Sequence, residues 1–288
     1  MRSRLSLRSV ISKLLFALAC LLAATIVLIP LFVLVTTALK NQYDVLSIPA
    51  TLIPRPFVWS NLVDAWHFLP SVSLARMFLN SIVISTGATL LTMLLAVPSA
   101  YAMAKAEFAA KQVMSLVLLA LQMFSAVVII LPLYKFLLRL GLINTHAGVI
   151  LVDAIFLSSF ATWLLVGFFQ AVPEDLEKAA VMDGCSSWQV ITRIFLPLAA
   201  PGLVVTAVYC FIGAWNEFFF AYTLLASDRL GPLMVGIYRQ RGASSYELAP
   251  HWEMLMTMSM FSVIPPALLF MMIRRHLVGG LATGATKG

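Results

Sequence analysis

The stretch EKAAVMDGCSSWQVITRIFLP, residues 177–197, is the most polar part of the middle of an otherwise apolar chain. It lies between two long apolar runs and is punctuated like two short helices. Pro173 suits a first helical position, and Glu174 and Asp175 put negative charge at the positive end of that helix. Leu176, Ala179 and Ala180 form a small-residue apolar stripe. Gly184 fits the position just past the helix end, where glycine takes the left-handed conformation at little cost. Ser186, followed three residues later by Gln189, reads as a capping box that opens a second helix. Trp188, Ile191, Ile194 and Phe195 continue its apolar stripe, and Pro197 and Pro201 mark entry to the next apolar run. The predicted order is helix, glycine turn, helix, membrane. Two roles stay open on these residues alone. Small side chains let another surface approach the first helix closely, and a linker lying on the membrane interface would look similar.

Composition sets the surroundings. Of the 288 residues, 61% are hydrophobic and 11% are charged, where a soluble domain carries about 25% charged residues. Such a chain cannot present a polar surface to water, so its apolar residues must face lipid. The net charge of +7 comes without a dense Lys/Arg run interleaved with aromatics, so nucleic acid is not an expected partner. It fits basic flanks of membrane spans. Cys20, Cys185 and Cys210 are scattered and show no CxxC spacing, which indicates neither a zinc site nor a disulfide framework.

A span needs about 20 mostly apolar residues. Six segments qualify: 14–39, 77–104, 113–138, 147–169, 198–224 and 254–273. The first is too long for a cleavable leader's apolar region of about 7–15 residues, so it reads as an uncleaved span. Pro30, Pro98, Pro132, Pro265 and Pro266 fall inside spans and predict kinks rather than breaks. Arg2, Arg4, Arg8 and Lys13 precede the first span, while only Lys40 follows it closely, which places the N-terminus in the cytoplasm. Six spans return the C-terminus to the same side, with Arg274, Arg275 and Lys287. The expected organisation is a cytoplasmic tail 1–13, a first helix 14–39 and an extracytoplasmic loop 40–76. A five-helix core 77–273 follows, carrying a cytoplasmic loop 170–197, and then a cytoplasmic tail 274–288.

At this point the quoted stretch resembles the EAA loop of type I importer permeases of the ABC transporter superfamily. That pattern is Glu-Ala-Ala, three residues, Gly, nine residues, Ile, one residue, Leu-Pro. Ala179, Ala180, Gly184, Ile194, Leu196 and Pro197 match it at the required spacing. One departure exists: Lys178 stands before the alanines, and the acid lies one earlier, at Glu177. Asn80-Ser81, Ala100-Tyr101-Ala102, the Leu131–Tyr134 and Gly141–Thr145 segments, Trp215-Asn216-Glu217-Phe218 and the tail 280–288 also look like the carbohydrate-uptake branch. The likeness is to the smaller permease of the maltose, oligosaccharide and glycerol-phosphate importers.

The resemblance implies an all-α integral membrane protein with six transmembrane helices in the bacterial cytoplasmic (inner) membrane. It implies a second homologous permease, two ATPase subunits, an extracytoplasmic substrate-binding protein and surrounding lipid as partners. It implies no cofactor in this chain, ATP and Mg being bound by the partner ATPase, and the sequence contains no GxxxxGK[ST] phosphate loop. The implied coupling residues are Glu177, Ala179, Ala180, Asp183, Gly184, Ile194, Leu196 and Pro197.

Polar groups inside spans are costly and mark pathways or interhelical hydrogen bonds. Asn80, Gln122, Asp153, Asn216 and Glu217 are such groups, and Trp215 could stack on a sugar ring. The alternative function is a secondary transporter driven by an ion gradient, which predicts related halves. No convincing internal repeat is visible, and that reading leaves the loop 170–197 unexplained. A membrane enzyme is disfavoured because His67, His146, His251 and His276 fall in loops or at span ends, with no metal-ligand cluster.

Overall fold

The computed structural model describes residues 7–69, 71–105, 110–123, 125–243 and 250–284. Arg2, Arg4, Lys287 and the last four residues of the tail motif lie outside the described residues. The described residues are helical, with no strand among them. In chain order the helices are α1 (Leu7–Ala38), α2 (Gln42–Val45), α3 (Asn61–Asp64), α4 (Leu74–Lys105) and α5 (Lys111–Leu121). They continue as α6 (Ala126–Arg139), α7 (His146–Gln170), α8 (Glu174–Met182), α9 (Ser187–Val190), α10 (Leu196–Leu198) and α11 (Ala200–Trp215). The last are α12 (Phe219–Leu224), α13 (Leu233–Ala243) and α14 (Trp252–Gly284). The chain divides into two compact units, Met1–Leu69 with Gln240–Ser262, and Pro70–Arg239 with Val263–Gly288.

In the first unit the end of α1 is tied down by side chains. A helix leaves its last carbonyls without internal partners. The Asn61 amide donates to Ala38 O at 2.8 Å and to Lys40 O at 2.9 Å. The Thr257 hydroxyl approaches Ala38 O at 3.3 Å, and Val58 N donates to Leu39 O at 2.9 Å. Trp66 packs on Phe261 at 5.2 Å. Along α1 itself, large apolar side chains from Ile11 to Val35 are exposed all round, as lipid-facing residues are. The loop after it holds the short helices α2 and α3.

In the second unit α4 and α7 run side by side in the same direction. Thr92 Oγ1 donates to Ala154 O at 3.4 Å, and Ile150 fills the space over Gly87. Ala88, Ala96, Ala100, Ala154 and Ala161 are fully buried there. Small residues allow the close backbone approach that membrane helices use in place of a hydrophobic driving force. Pro30, Pro98, Pro132, Pro265 and Pro266 are all carried inside helices, so none breaks its segment.

Among the described residues, four helical segments are long and apolar enough to cross a membrane: Ile11–Ala38, Leu74–Lys105, His146–Gln170 and Trp252–Ile273. A fifth is a bent pair, Ser187–Leu198 with Ala200–Trp215, turning through 86°. Two expected spans are therefore not continuous helices. Segment 113–138 is divided between α5 and α6. Ser125 turns extended there, and its hydroxyl accepts from Val127 N, which starts a new helix. Segment 198–224 bends at Ala199 and stops at Trp215. The helix also ends later than predicted at the other end of the chain, where α14 continues through Arg274 to Gly284 rather than stopping at 273.

Gly202, at the start of α11, faces the Phe168 ring of α7 so closely that a Cβ would overlap it. A Cβ on Gly167, one residue from that ring, meets nothing within 4 Å. Gly202→Ala is expected to cost about 1–3 kcal/mol through overpacking, while Gly167→Ala is tolerated. Thermal melting of the two variants in detergent checks the difference.

Candidate functional site

The loop between α7 and α11 is built as its punctuation implies, with one shift. Pro173 is the residue just before α8, at φ −58° and ψ 134°, rather than the first residue within it. Gly184 adopts φ +81°, the left-handed conformation that favours glycine, and ends the helix. Cys185 N donates to Ala180 O at 3.0 Å across that turn. Ser186 and Gln189 form the reciprocal capping box, with Ser186 N donating to Gln189 Oε1 at 2.8 Å. The chain then makes one wide π turn, Ile191–Phe195, before α10 and the bend at Ala199. Such turns recur at functional sites.

The loop sits on the membrane helices through few residues. Ala180, Val190, Ile191 and Phe195 are buried in a cluster with Ala100 of α4 and Phe169 of α7. Of the other coupling candidates, Glu177, Ile194 and Leu196 are half-buried, and Ala179, Asp183, Gly184 and Pro197 are exposed. The Tyr101 hydroxyl donates to Glu177 Oε1 at 2.7 Å. Lys178 points away from that bond and pairs with Glu174 at 3.3 Å, both side chains being well exposed. The outward residues of α8 include large apolar ones: Met182 is 87% exposed and Val181 58%.

The pathway candidates separate into two kinds. Asn80 spends its amide on backbone: it donates to Arg229 O at 2.9 Å and Gly231 O at 3.0 Å. Trp215 is only 2% exposed, stacked on Phe211 and edge-on to Phe78. Asn80 thereby ties the start of α4 to residues 229–231, and Trp215 sits among aromatic rings. Gln122 and Asn216 have exposed side chains. The Glu217 carboxylate accepts from Phe220 N at 2.7 Å and Ala221 N at 3.0 Å, capping α12. Asp153 of α7 is buried, and neither carboxylate oxygen has a hydrogen-bond partner among the described residues.

Other residues that fix this region were not among the site candidates read from sequence. Asn144, at φ 57°, accepts from Ala226 N and Ser227 N through its side chain. His146 Nε2 lies 3.0 Å from Leu230 O, and Leu233 N donates to Ser81 Oγ at 2.8 Å. These bonds strap residues 224–233 across the ends of α4 and α7. Asn144 fell within a family-like segment, but its partners lie more than 80 residues away.

Residues 93–282 match the model of the binding-protein-dependent transport system inner membrane component. The chain belongs to this family. It is a multi-pass permease subunit of an ABC transporter, not a catalytic chain, and ATP hydrolysis occurs in partner subunits. It is 30% identical over 279 residues to the trehalose/maltose transport system permease protein MalG of Thermococcus litoralis, covering 97% of this chain and 98% of the relative. It is 29% identical over 267 residues to the diacetylchitobiose uptake system permease protein NgcG of Streptomyces coelicolor, covering 93% and 86%. A chain in the crystal structure of a bacterial ABC transporter involved in the import of the acidic polysaccharide alginate superposes with a TM-score of 0.76. That match covers 94% of this permease and 98% of the other chain at 21% identity, and it shows the type I importer permease fold.

The Glu217 carboxylate satisfies two backbone donors in the first turn of α12. Glu217→Ala leaves two backbone donors of α12 without their acceptor and is expected to cost about 1 kcal/mol. Glu217→Gln keeps an acceptor and retains most of the stability. Melting temperatures of the purified variants check this order.

Proposed function

We propose that this permease forms half of the translocation pathway of an importer for a sugar or sugar derivative, and that it couples to a cytoplasmic ATPase through the loop 170–197. The exposed face of α8 carries this reading. Leu176, Val181 and Met182 are large apolar side chains exposed on a nine-residue helix that begins with three acids. An apolar surface flanked by charge fits a protein partner better than open water. Ala179, Asp183 and Gly184 are also exposed, and the helix would seat in a cleft of the ATPase.

The sugar assignment is supported by the relatives, which are named for trehalose, maltose and diacetylchitobiose. The assembly would contain a second homologous permease, two ATPase subunits and an extracytoplasmic binding protein that delivers substrate. Both tails, 1–13 and 274–288, would lie in the cytoplasm, with segment 40–76 outside. Asn216, exposed beside the capping carboxylate of Glu217, is the pathway candidate that the geometry favours.

ATP-bound closure of the ATPase pair would move α8. The 86° elbow at Ala199 would turn that movement into tilting of α11. This is coupling between two sites through an element with two arrangements.

The test is co-purification with the cognate ATPase subunit, then ATP-dependent uptake of maltose, trehalose or diacetylchitobiose into vesicles. Proline cannot take the φ of +81° at Gly184. Gly184→Pro, or Ala180→Trp at the buried contact, should lower uptake about tenfold while hydrolysis continues. Wild-type uptake in both variants, or robust uptake without any ATPase, would sink the proposal.

A further inference from the structure

The loop 170–197 is joined covalently to α7 and α11, yet its shortest side-chain bond to the helix bundle goes to neither. It goes to α4. The Tyr101 hydroxyl, one turn from the end of α4, donates to Glu177 at 2.7 Å. One turn further on, the Lys105 ammonium donates to Val172 O at 3.0 Å. Val172 precedes α8, and Glu177 lies within it, so two bonds hold the first half of the loop. The second half meets the same two residues through Phe195. The Tyr101 ring stands edge-on to Phe195 at 5.1 Å, and the Lys105 ammonium lies over that ring at 5.5 Å. Phe195 is fully buried and also contacts Phe169 of α7 edge-on at 5.4 Å.

We propose that Tyr101 and Lys105 are positioning residues that clamp both halves of the coupling loop to α4, so that α8 and α4 move as one body during the transport cycle. This rests on the reading of α8 as the ATPase-docking helix and adds to it. Motion entering at α8 then reaches the pore by two routes, through the elbow at Ala199 into α11 and through the clamp into α4. It also assigns Glu177 a role facing inward. Its carboxylate is engaged by this chain's own Tyr101, while Glu174, Asp175, Lys178 and Asp183 are exposed.

Three features favour a clamp over incidental packing. The Tyr101–Glu177 bond has a carboxylate acceptor, and such charge-assisted bonds are shorter and about twice as strong as neutral ones. It lies in a half-buried site, where water competes less. The two donors, spaced one helical turn apart, reach the two halves of a single loop. They thereby fix the orientation of α8 as well as its position.

The experiment uses the assembled transporter in lipid vesicles. Cys20, Cys185 and Cys210 are replaced, and spin labels are placed through Ser99→Cys on α4 and Asp175→Cys on α8, both exposed positions. The distance between the labels is measured without nucleotide and after trapping with ATP and vanadate. A single distance, unchanged on trapping, is expected in the otherwise native chain. Tyr101→Phe keeps the ring contact but loses the hydroxyl, and combined with Lys105→Met it should add a second, longer distance on trapping. Glu177→Ala should behave like Tyr101→Phe, and Glu177→Gln, which keeps an acceptor, should restore the single distance. A native pair whose distance shifts on trapping overturns the clamp, as does a double variant indistinguishable from native. Measurement on the permease without ATPase separates the two readings. There, with no nucleotide to trap, the freed α8 of the double variant should broaden the distance distribution relative to native, and an unchanged distribution overturns the clamp, whereas failure of the native complex to retain its ATPase refutes docking.

Discussion

The close packing of α4 against α7 sets the rest of the permease core. Helices in lipid gain nothing from hiding apolar surface, so they associate through tight van der Waals contact and a few polar bonds. Buried alanines on both helices permit that approach, and Gly87 admits the Ile150 side chain where a larger residue would clash. Because the two helices run in the same direction, their beginnings lie together and their ends lie together. A chain that descends twice in parallel must return between the descents, and α5 with α6 makes that return.

Both shared ends are used. At the beginning, Asn80 and Ser81 of α4 and His146 of α7 bind the backbone of residues 229–233. At the far end, Tyr101 and Lys105 of α4 and Phe169 of α7 meet the loop 170–197. The backbone at each end is irregular and would carry unpaired donors and acceptors. Side chains from the paired helices satisfy several of these groups, which is how non-helical chain is tolerated near membrane depth. Asn80 and Ser81 hold backbone of residues 229–233, and Tyr101 holds the Glu177 carboxylate.

Much of this was legible in the chain. Gly184, Ser186 and Gln189 act locally, so their spacing alone predicted the turn and the capping box, and the structure has both. The apolar runs at 14–39, 77–104, 147–169 and 254–273 each correspond to a long helix. The divisions of 113–138 and 198–224 were not legible, because hydropathy registers lipid but not direction. A hydroxyl at Ser125 and a carboxylate at Glu217 restart helices without lowering the apolar content of the window. Trp215 illustrates the same limit at the site. Its residue type fits sugar stacking, but its burial between Phe78 and Phe211 depends on partners that no local pattern encodes. The Tyr101–Glu177 bond joins residues 76 positions apart and could only be seen in three dimensions.

The departure at Lys178 follows from the same geometry. One residue along an α-helix turns a side chain by about 100°. Moving the acid from 178 to 177 therefore carries it from the open face of α8 to the face beneath α4, where Tyr101 receives it. The position it vacates is filled by a lysine, which balances Glu174 one turn earlier. That exposed pair contributes little stability of its own, since solvent screens it and two long side chains must be ordered. Its effect is on the sign of the surface. Beside the apolar side chains of Val181 and Met182, α8 shows a cation where the family pattern has an anion. On the proposed reading of α8 as the ATPase-docking helix, the cleft that receives it would have to accommodate positive charge at that point, and the matched ATPase subunit would differ there from one matched to a glutamate.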